Sequence, residues 1–394
     1  MLSRIRQDAS FPALMAGFMT FFIGISVSAV LVIQGAHVLG ANDAHIASWF
    51  WATGLAIGLS GFFLSWRYGY PVATAWSTPG IAFIIASGSG YNLHEAIGAF
   101  LICGLAIAAF GFSGLFQKIL KHIPQSLSCA MLAGILLKFG IAIFAQLKTE
   151  PWFILTIFAI YLISKRISTR YSIVITVIFS IILCPLFIQF DFPALTWTLT
   201  QPVWIQPSFS LSALFGLALP LFVINMTSQN LPGIGMIQSY GYTPHVNRLV
   251  GWTGIAHAVF APFGAFSNNL AAISAAVSLD EQAHPDPKKR YIAGMSSGLC
   301  YVVMALFATT LTQLLMSFPH VFIVTLAGIA LFGTISHNIT QAFSDLNTRE
   351  AALMTFLCSA SGVQFLGIGS AFWGLIFGLI VLWVLQFNTK ASSS

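Results

Sequence analysis

Apolar runs follow one another along this chain almost without a break, separated by short clusters of polar residues, Gly and Pro. Most runs are 16 to 27 residues long and show no sustained polar face. A helix hydrophobic all round is a buried or lipid-facing helix, and about 20 such residues cross roughly 30 Å of hydrocarbon. The pattern predicts fourteen segments, near 11–34, 44–65, 71–88, 93–113, 124–146, 151–165, 171–190, 210–236, 247–262, 263–279, 291–312, 320–337, 350–366 and 368–388.

Composition narrows the class. Of 394 residues 57% are hydrophobic and 7% charged, against roughly a quarter charged in a soluble domain. A multi-pass membrane protein follows, with no room for a soluble ATPase module and no G-x-x-x-x-G-K-[ST] loop. The net charge of +6 does not indicate nucleic acid, because the basic residues stand singly at the ends of apolar runs. With the N-terminus in the cytoplasm, Arg4, Arg6, Arg67, Lys118, Lys121, Lys165, Arg166, Arg170, Arg248, Lys288, Lys289, Arg290, Arg349 and Lys390 all fall on the inner side, and Lys148 outside. That matches the positive-inside rule and predicts both termini in the cytoplasm. The first run is too long for a signal-peptide core and reads as a retained span. The five cysteines lie inside apolar runs without C-x-x-C spacing and read as small hydrophobes.

The chain also repeats itself. "LAGI" occurs at 132–135 and at 326–329, each following a proline, Pro124 and Pro319, that opens its segment. At nearly the same offset "PVATAWSTPGIA" from Pro71 aligns with "PFGAFSNNLAAI" from Pro262. Seven spans between equivalent points place the halves upside down relative to each other, the inverted-repeat architecture of secondary transporters. The expected fold is therefore all-α and polytopic, two inverted seven-segment repeats over 1–190 and 210–388 joined by an extracytoplasmic connection at 191–209.

Segments 3 and 10 interrupt the pattern. "VATAW" tolerates a strand, "STPG" offers Ser77 or Thr78 as an N-cap with Pro79 in the first turn, and Asn268 or Asn269 is placed to cap "LAAISAAVS". About five residues at 3.3 Å and about ten at 1.5 Å each span about 15 Å, so each crossing is predicted to be a short strand plus a half-helix. Such strands persist in a membrane only where buried in protein and hydrogen-bonded, here to each other. Two helix N-termini meeting at mid-depth would suit an anion. Ordinary Gly and Pro kinks are the alternative.

"AWSTPG" (75–80), "SQNLPGI" (228–234), "EQAHPD" (281–286) and "GIGSAFWGL" (367–375) together resemble the benzoate-proton symporter (BenE) family, which belongs with the uracil permease-like and sulphate permease-like carriers. The resemblance covers essentially the whole chain. It implies a core domain of about 11–113 and 210–312 moving against a gate domain of about 124–190 and 320–388. It also implies uptake of an aromatic carboxylate with a proton, without cofactor or metal, in the bacterial cytoplasmic membrane. Such carriers often form dimers, so a homodimer is among the implied partners, alongside the bilayer. Carried onto this chain, the implied substrate site comprises Trp76, Ser77 and Thr78, then Phe266, Ser267, Asn268 and Asn269, with Asn225, Ser228 and Gln229 on one face of segment 8. Interhelical bonding is the other use of such amides.

Uracil permease-like carriers place glutamates on segments 8 and 10, whereas this chain has none there. An anion would be repelled by a carboxylate in its pocket, so the departure fits benzoate better than a neutral nucleobase, while leaving the proton without an obvious carrier. Lys138 and His257 are the ionisable residues inside spans and the candidates for gating or coupling; snorkelling and a carbonyl bond are their structural alternatives. The "DEQAHPDPKKR" loop reads as a solvated connection and not a metal site. A carrier of another small anion or a nucleobase, and an anion channel, keep the same fold. An enzyme is disfavoured, since no nucleophile–base pair or carboxylate cluster converges.

Overall fold

A computed structural model describes residues 5, 7–115, 124–168, 172–188, 196–271, 274–363, 365–366 and 369–391, without the side chains of 27 and 386–391. Arg4, Arg6, Lys118, Lys121 and Arg170, the start of the 191–209 connection and part of the 367–375 motif lie outside the described residues, as does the side chain of Lys390.

The first half runs α1 (Phe11–Val38), α2 (Asp43–Tyr68), β1 (Thr74–Ala75), α3 (Thr78–Ser87), α4 (Leu93–Ser113), α5 (Gln125–Ala145), α6 (Pro151–Ile167) and α7 (Ser172–Phe187). The second runs α8 (Leu211–Ser239), α9 (Val246–Phe260), β2 (Asn269–Leu270), α10 (Ala275–Leu279), α11 (Tyr291–Leu306), α12 (Ala308–Ser317), α13 (His320–Ala342), α14 (Arg349–Ser361) and α15 (Ser370–Ala391). Local chemistry sets the ends. Asn42 and Asn92 close capping boxes with His45 and Glu95, and Gly69 and Gly114 end α2 and α4 in the left-handed conformation. Pro124 and Pro319 precede α5 and α13, where a missing N–H costs nothing.

Five helices, α2, α4, α5, α8 and α13, are each long and apolar enough to cross a bilayer, and α1 and the α11–α12 pair qualify if each bent pair is one span. α9 lies on α4 and α11 on α2; β1 pairs with β2, and α5 packs on α13. Both helix crossings depend on glycine. A Cβ on Gly58 would stand 2.7 Å from the carbonyl oxygen of Gly298, and one on Gly111 would run into the backbone of Gly251. Close backbone approach of this kind replaces the hydrophobic drive that lipid does not supply.

A large buried cluster joins α1–α4, α8, α9 and α11 to the middle of α5 and α13, while separate clusters hold α5–α7 with α13, and α5 with α14 and α15. The expected continuous segment 291–312 is instead bent by 75° at Phe307. There the 196–200 strand of coil intervenes: Thr200 Oγ1 accepts the Thr309 N–H at 2.8 Å, and Thr310 Oγ1 donates to Thr196 O. Bonds from outside the helix thus redirect it.

The 280–290 loop differs from a purely solvated connection. Arg290 is buried, and its guanidinium donates to the carbonyls of Leu279, His284 and Pro285, tying the end of α10 to the start of α11.

Candidate functional site

Four interrupted elements meet at one place. α1 bends by 41° between Ser26 and Ser28, β1 hands over to α3, β2 lies antiparallel to β1, and α8 carries π turns at Leu214–Ala218 and Met226–Asn230. Each π turn ends two residues before a proline, Pro220 or Pro232. A proline cannot bond the carbonyl four residues earlier, here Gly216 and Ser228, so the turn widens.

The strands are two residues each, shorter than the five expected, with Thr74 opposite Leu270 and Ala75 opposite Asn269. Side chains complete their edges. Ser65 Oγ accepts the Val72 N–H, Asn230 Oδ1 accepts the Leu270 N–H at 3.0 Å, and Thr74 Oγ1 donates to Ile57 O. Backbone that leaves helix geometry inside a membrane must be paired within the protein, and these bonds contribute to that pairing.

Ser77 caps α3: its Oγ accepts the Gly80 N–H at 2.9 Å and its carbonyl accepts the Ile81 N–H. Its own N–H donates 2.8 Å to Ser267 Oγ, so the two crossings are bonded where they meet. Trp76 Nε1 and Thr78 Oγ1 both donate to Ser28 Oγ, at 2.6 and 3.0 Å, bringing the bend of α1 into the same place. Ser28 was not among the expected site residues. It is one of three hydroxyl residues in its run, with Thr20 and Ser26, and the sequence does not single it out.

The amides expected as caps of the second crossing do something else. Asn269 sits within β2, and α10 begins only at Ala275, with 272–273 outside the described residues. Asn268 points away, its Nδ2 shared among Ala56 O, Ser60 Oγ and Thr253 O at 3.1–3.3 Å, fastening β2 to α2 and α9. Asn269 donates to Asn225 Oδ1 and accepts from Asn230 Nδ2, while Asn225 Nδ2 reaches Cys103 Sγ at 3.6 Å. A buried amide bonded in this way is fixed in place, because each unmade bond would cost about 1–3 kcal/mol. Asn230 was also missed, although it lies inside the quoted "SQNLPGI".

Exposure separates two roles. Phe266, Ser267, Asn268, Asn269, Asn225, Ser77 and Trp76 are buried, and Phe266 stacks on Trp49 at 6.1 Å. Thr78, Ser228 and Gln229 are half-buried. No Asp, Glu, Lys or Arg occurs in 71–87, 211–239 or 262–279. Lys138 stands apart as an exposed residue on α5, its ammonium beside Gly362 at the end of α14. His257 lies behind β2 on α9, fully buried. An open groove of about 710 Å³ between the ends of α2 and α12, lined by Asp43, Gln201 and Gln313 among others, is separate from the junction.

Comparison with known proteins gives a consistent result. The family model described as benzoate membrane transport protein matches residues 7–384. The chain is 34% identical over 393 residues to the benzoate membrane transport protein of Acinetobacter baylyi, covering 100% of this chain and 99% of that one. It is 40% identical over 377 residues to the inner membrane protein YdcO of Escherichia coli K12, covering 95% and 96%. Among solved structures, the transmembrane domain of the cyanobacterial bicarbonate transporter BicA aligns with a TM-score of 0.59 at 14% identity, over 94% of this chain and 97% of that one. SLC26A9 aligns at 0.64 and 13% identity, over 95% and 65%. These two likenesses establish a shared inverted-repeat fold.

Proposed function

The chain belongs to the benzoate membrane transport protein (BenE) family, a family of membrane transporters and not enzymes, and from that membership we propose that it imports an aromatic carboxylate, benzoate first, together with a proton. The observation that carries the reading is the junction itself. It offers Thr78 at the capped N-terminus of α3 and half-buried Ser228 and Gln229 in the second π turn of α8, with no acidic residue in the three segments that build it. Hydroxyl and amide donors with a helix dipole accept a carboxylate, and the absence of like charge leaves it unrepelled. The substrate's apolar ring meets Trp76 and Ile81 of the core and Met131 and Ile135 of α5, which share one buried cluster.

In this reading fourteen crossings form two inverted repeats, with segments 3 and 10 each a short strand and a half-helix and both termini cytoplasmic. Segments 1–4 and 8–11 form the core that carries the site, and segments 5–7 and 12–14 the gate it moves against. The glycine-packed contacts within the core suit a body that moves as a unit.

Purified protein in liposomes tests it. Labelled benzoate should exchange saturably against internal benzoate, and accumulate faster with an acid exterior. Benzoic acid crosses bilayers when neutral, so protein-free liposomes set the baseline; uptake no greater than that baseline rejects the reading.

A further inference from the structure

The junction does not use His257, whose ring is fully buried with no hydrogen-bond partner at either nitrogen. Trp49 Nε1 and Thr53 Oγ1, one turn apart on α2, are buried and unpartnered as well. These groups gather around one loop, 264–268, which leads into β2. Trp49 packs on Gly264 and stacks on Phe266, and Asn268 is bonded to Ala56 O of α2 and Thr253 O of α9. Thr53 and His257 each lie within about a turn of those anchors. The backbone carbonyls of Ala265 and Phe266 lie beside the His257 ring.

A neutral imidazole has one donor and one acceptor, whereas an imidazolium has two donors. Carbonyls accept only. The loop therefore presents His257 with a pair of acceptors that stand unbonded beside the ring and that a doubly protonated ring can use. The next residue along, Ser267, holds the 2.8 Å bond to the Ser77 N–H at the cap of α3. A bond formed between His257 and 265–266 would be passed by one peptide unit to the Ser267–Ser77 bond at the cap of α3.

We propose that His257 is the proton-binding residue of the carrier, coupled to the anion site through Ala265, Phe266 and Ser267. This rests on the benzoate reading above. The other titratable groups facing it are few. Cys103 on α4 is engaged by Asn225, while Asp43, His45, His94 and Glu95 stand at one end of α2 and α4, and Arg67 and Arg248 at the other end of α2 and α9. Among the described residues, Arg290 is the one buried Asp, Glu, Lys or Arg, and it is bonded at the end of α10. Among the described residues, no buried carboxylate competes for the proton.

The test compares wild type with His257→Gln in liposomes, by two measurements on the same preparation. Exchange of labelled benzoate without a gradient should persist within about twofold, whereas accumulation driven by an acid exterior, up to about tenfold per pH unit for one coupled proton, should vanish. Gradient-driven accumulation equal to wild type overturns the proposal and leaves the benzoate reading standing. No benzoate exchange by wild type removes that reading and this proposal with it. A second measurement does not depend on the variant folding: benzoate binding to wild type, followed by calorimetry in buffers of different ionisation heat, should take up about one proton near neutral pH. Binding without proton uptake overturns the proposal.

Discussion

The main-chain N–H of Ser77 donates across 2.8 Å to the hydroxyl of Ser267, and this single bond ties the cap of α3 to the residue that leads into β2. Both residues are fully buried. Ser267→Ala would leave a buried N–H without an acceptor, at a cost of about 1–3 kcal/mol. The expected result is a lower melting temperature and weaker benzoate binding together, with Ser267→Thr restoring most of both. Unchanged melting and binding in the alanine variant would show that the crossings are not joined here.

Arg290 makes a second prediction, about the scaffold alone. Its guanidinium serves three carbonyls in a fork that lysine cannot reproduce. Arg290→Ala should destabilise by roughly 1 kcal/mol for each carbonyl left unpaired. Arg290→Lys should fall between, and thermal denaturation in detergent reads both. Equal stability of the lysine variant and wild type would mean that charge, and not the fork, is what the loop needs.

Much of this arrangement is legible in the sequence because its causes are local. Ser-Thr-Pro-Gly at 77–80 contains its own cap and first turn, and α3 starts there. Pro124 and Pro319 mark the starts of α5 and α13, two helices that pack on each other. Other features depend on partners far along the chain. Asn268 and Asn269 look like caps because an amide before an apolar run often is one. Only the positions of α2, α8 and α9 reveal that their hydrogen bonds lie elsewhere. The bend at Phe307 is set by Thr196 and Thr200, more than a hundred residues away, and no periodicity within 291–312 records it. The π turns did leave a local trace, a proline two residues beyond each.

The division between fixed and available amides can be tested by a pair of variants. Asn268→Ala removes a side chain that joins β2 to α2 and α9, and leaves Ala56 O and Thr253 O with one partner fewer. Gln229 is half-buried and no hydrogen bond of its side chain contributes to the strand pair. Asn268→Ala should therefore lower the melting temperature by several degrees and reduce expression. Gln229→Ala should melt like wild type and raise the KM for benzoate severalfold. If Gln229→Ala transports normally while Asn268→Ala is stable but inactive, the roles of the two amides are reversed.

The charge of the substrate can be read from Thr78. It occupies the first helical position of α3, half-buried, with Ser77 before it as the cap. An acidic residue in the first turn complements a helix dipole and is favourable for the helix by about 0.3–1 kcal/mol at an exposed site. Thr78→Asp should thus leave the fold near wild-type stability, apart from the lost bond to Ser28 Oγ. Thr78→Val is nearly isosteric, loses the same bond and adds no charge, so it isolates that loss. A carboxylate ligand approaching the junction meets a like charge only in the aspartate variant. At 4 Å and an effective dielectric near 20, that repulsion is about 4 kcal/mol, equivalent to a loss of about a thousandfold in affinity. Benzoate binding should consequently be abolished in Thr78→Asp and only weakened in Thr78→Val, with melting temperatures similar in both. A neutral ligand would be affected alike by the two substitutions, so equal binding losses in a folded pair would place the carboxylate somewhere other than the mouth of α3.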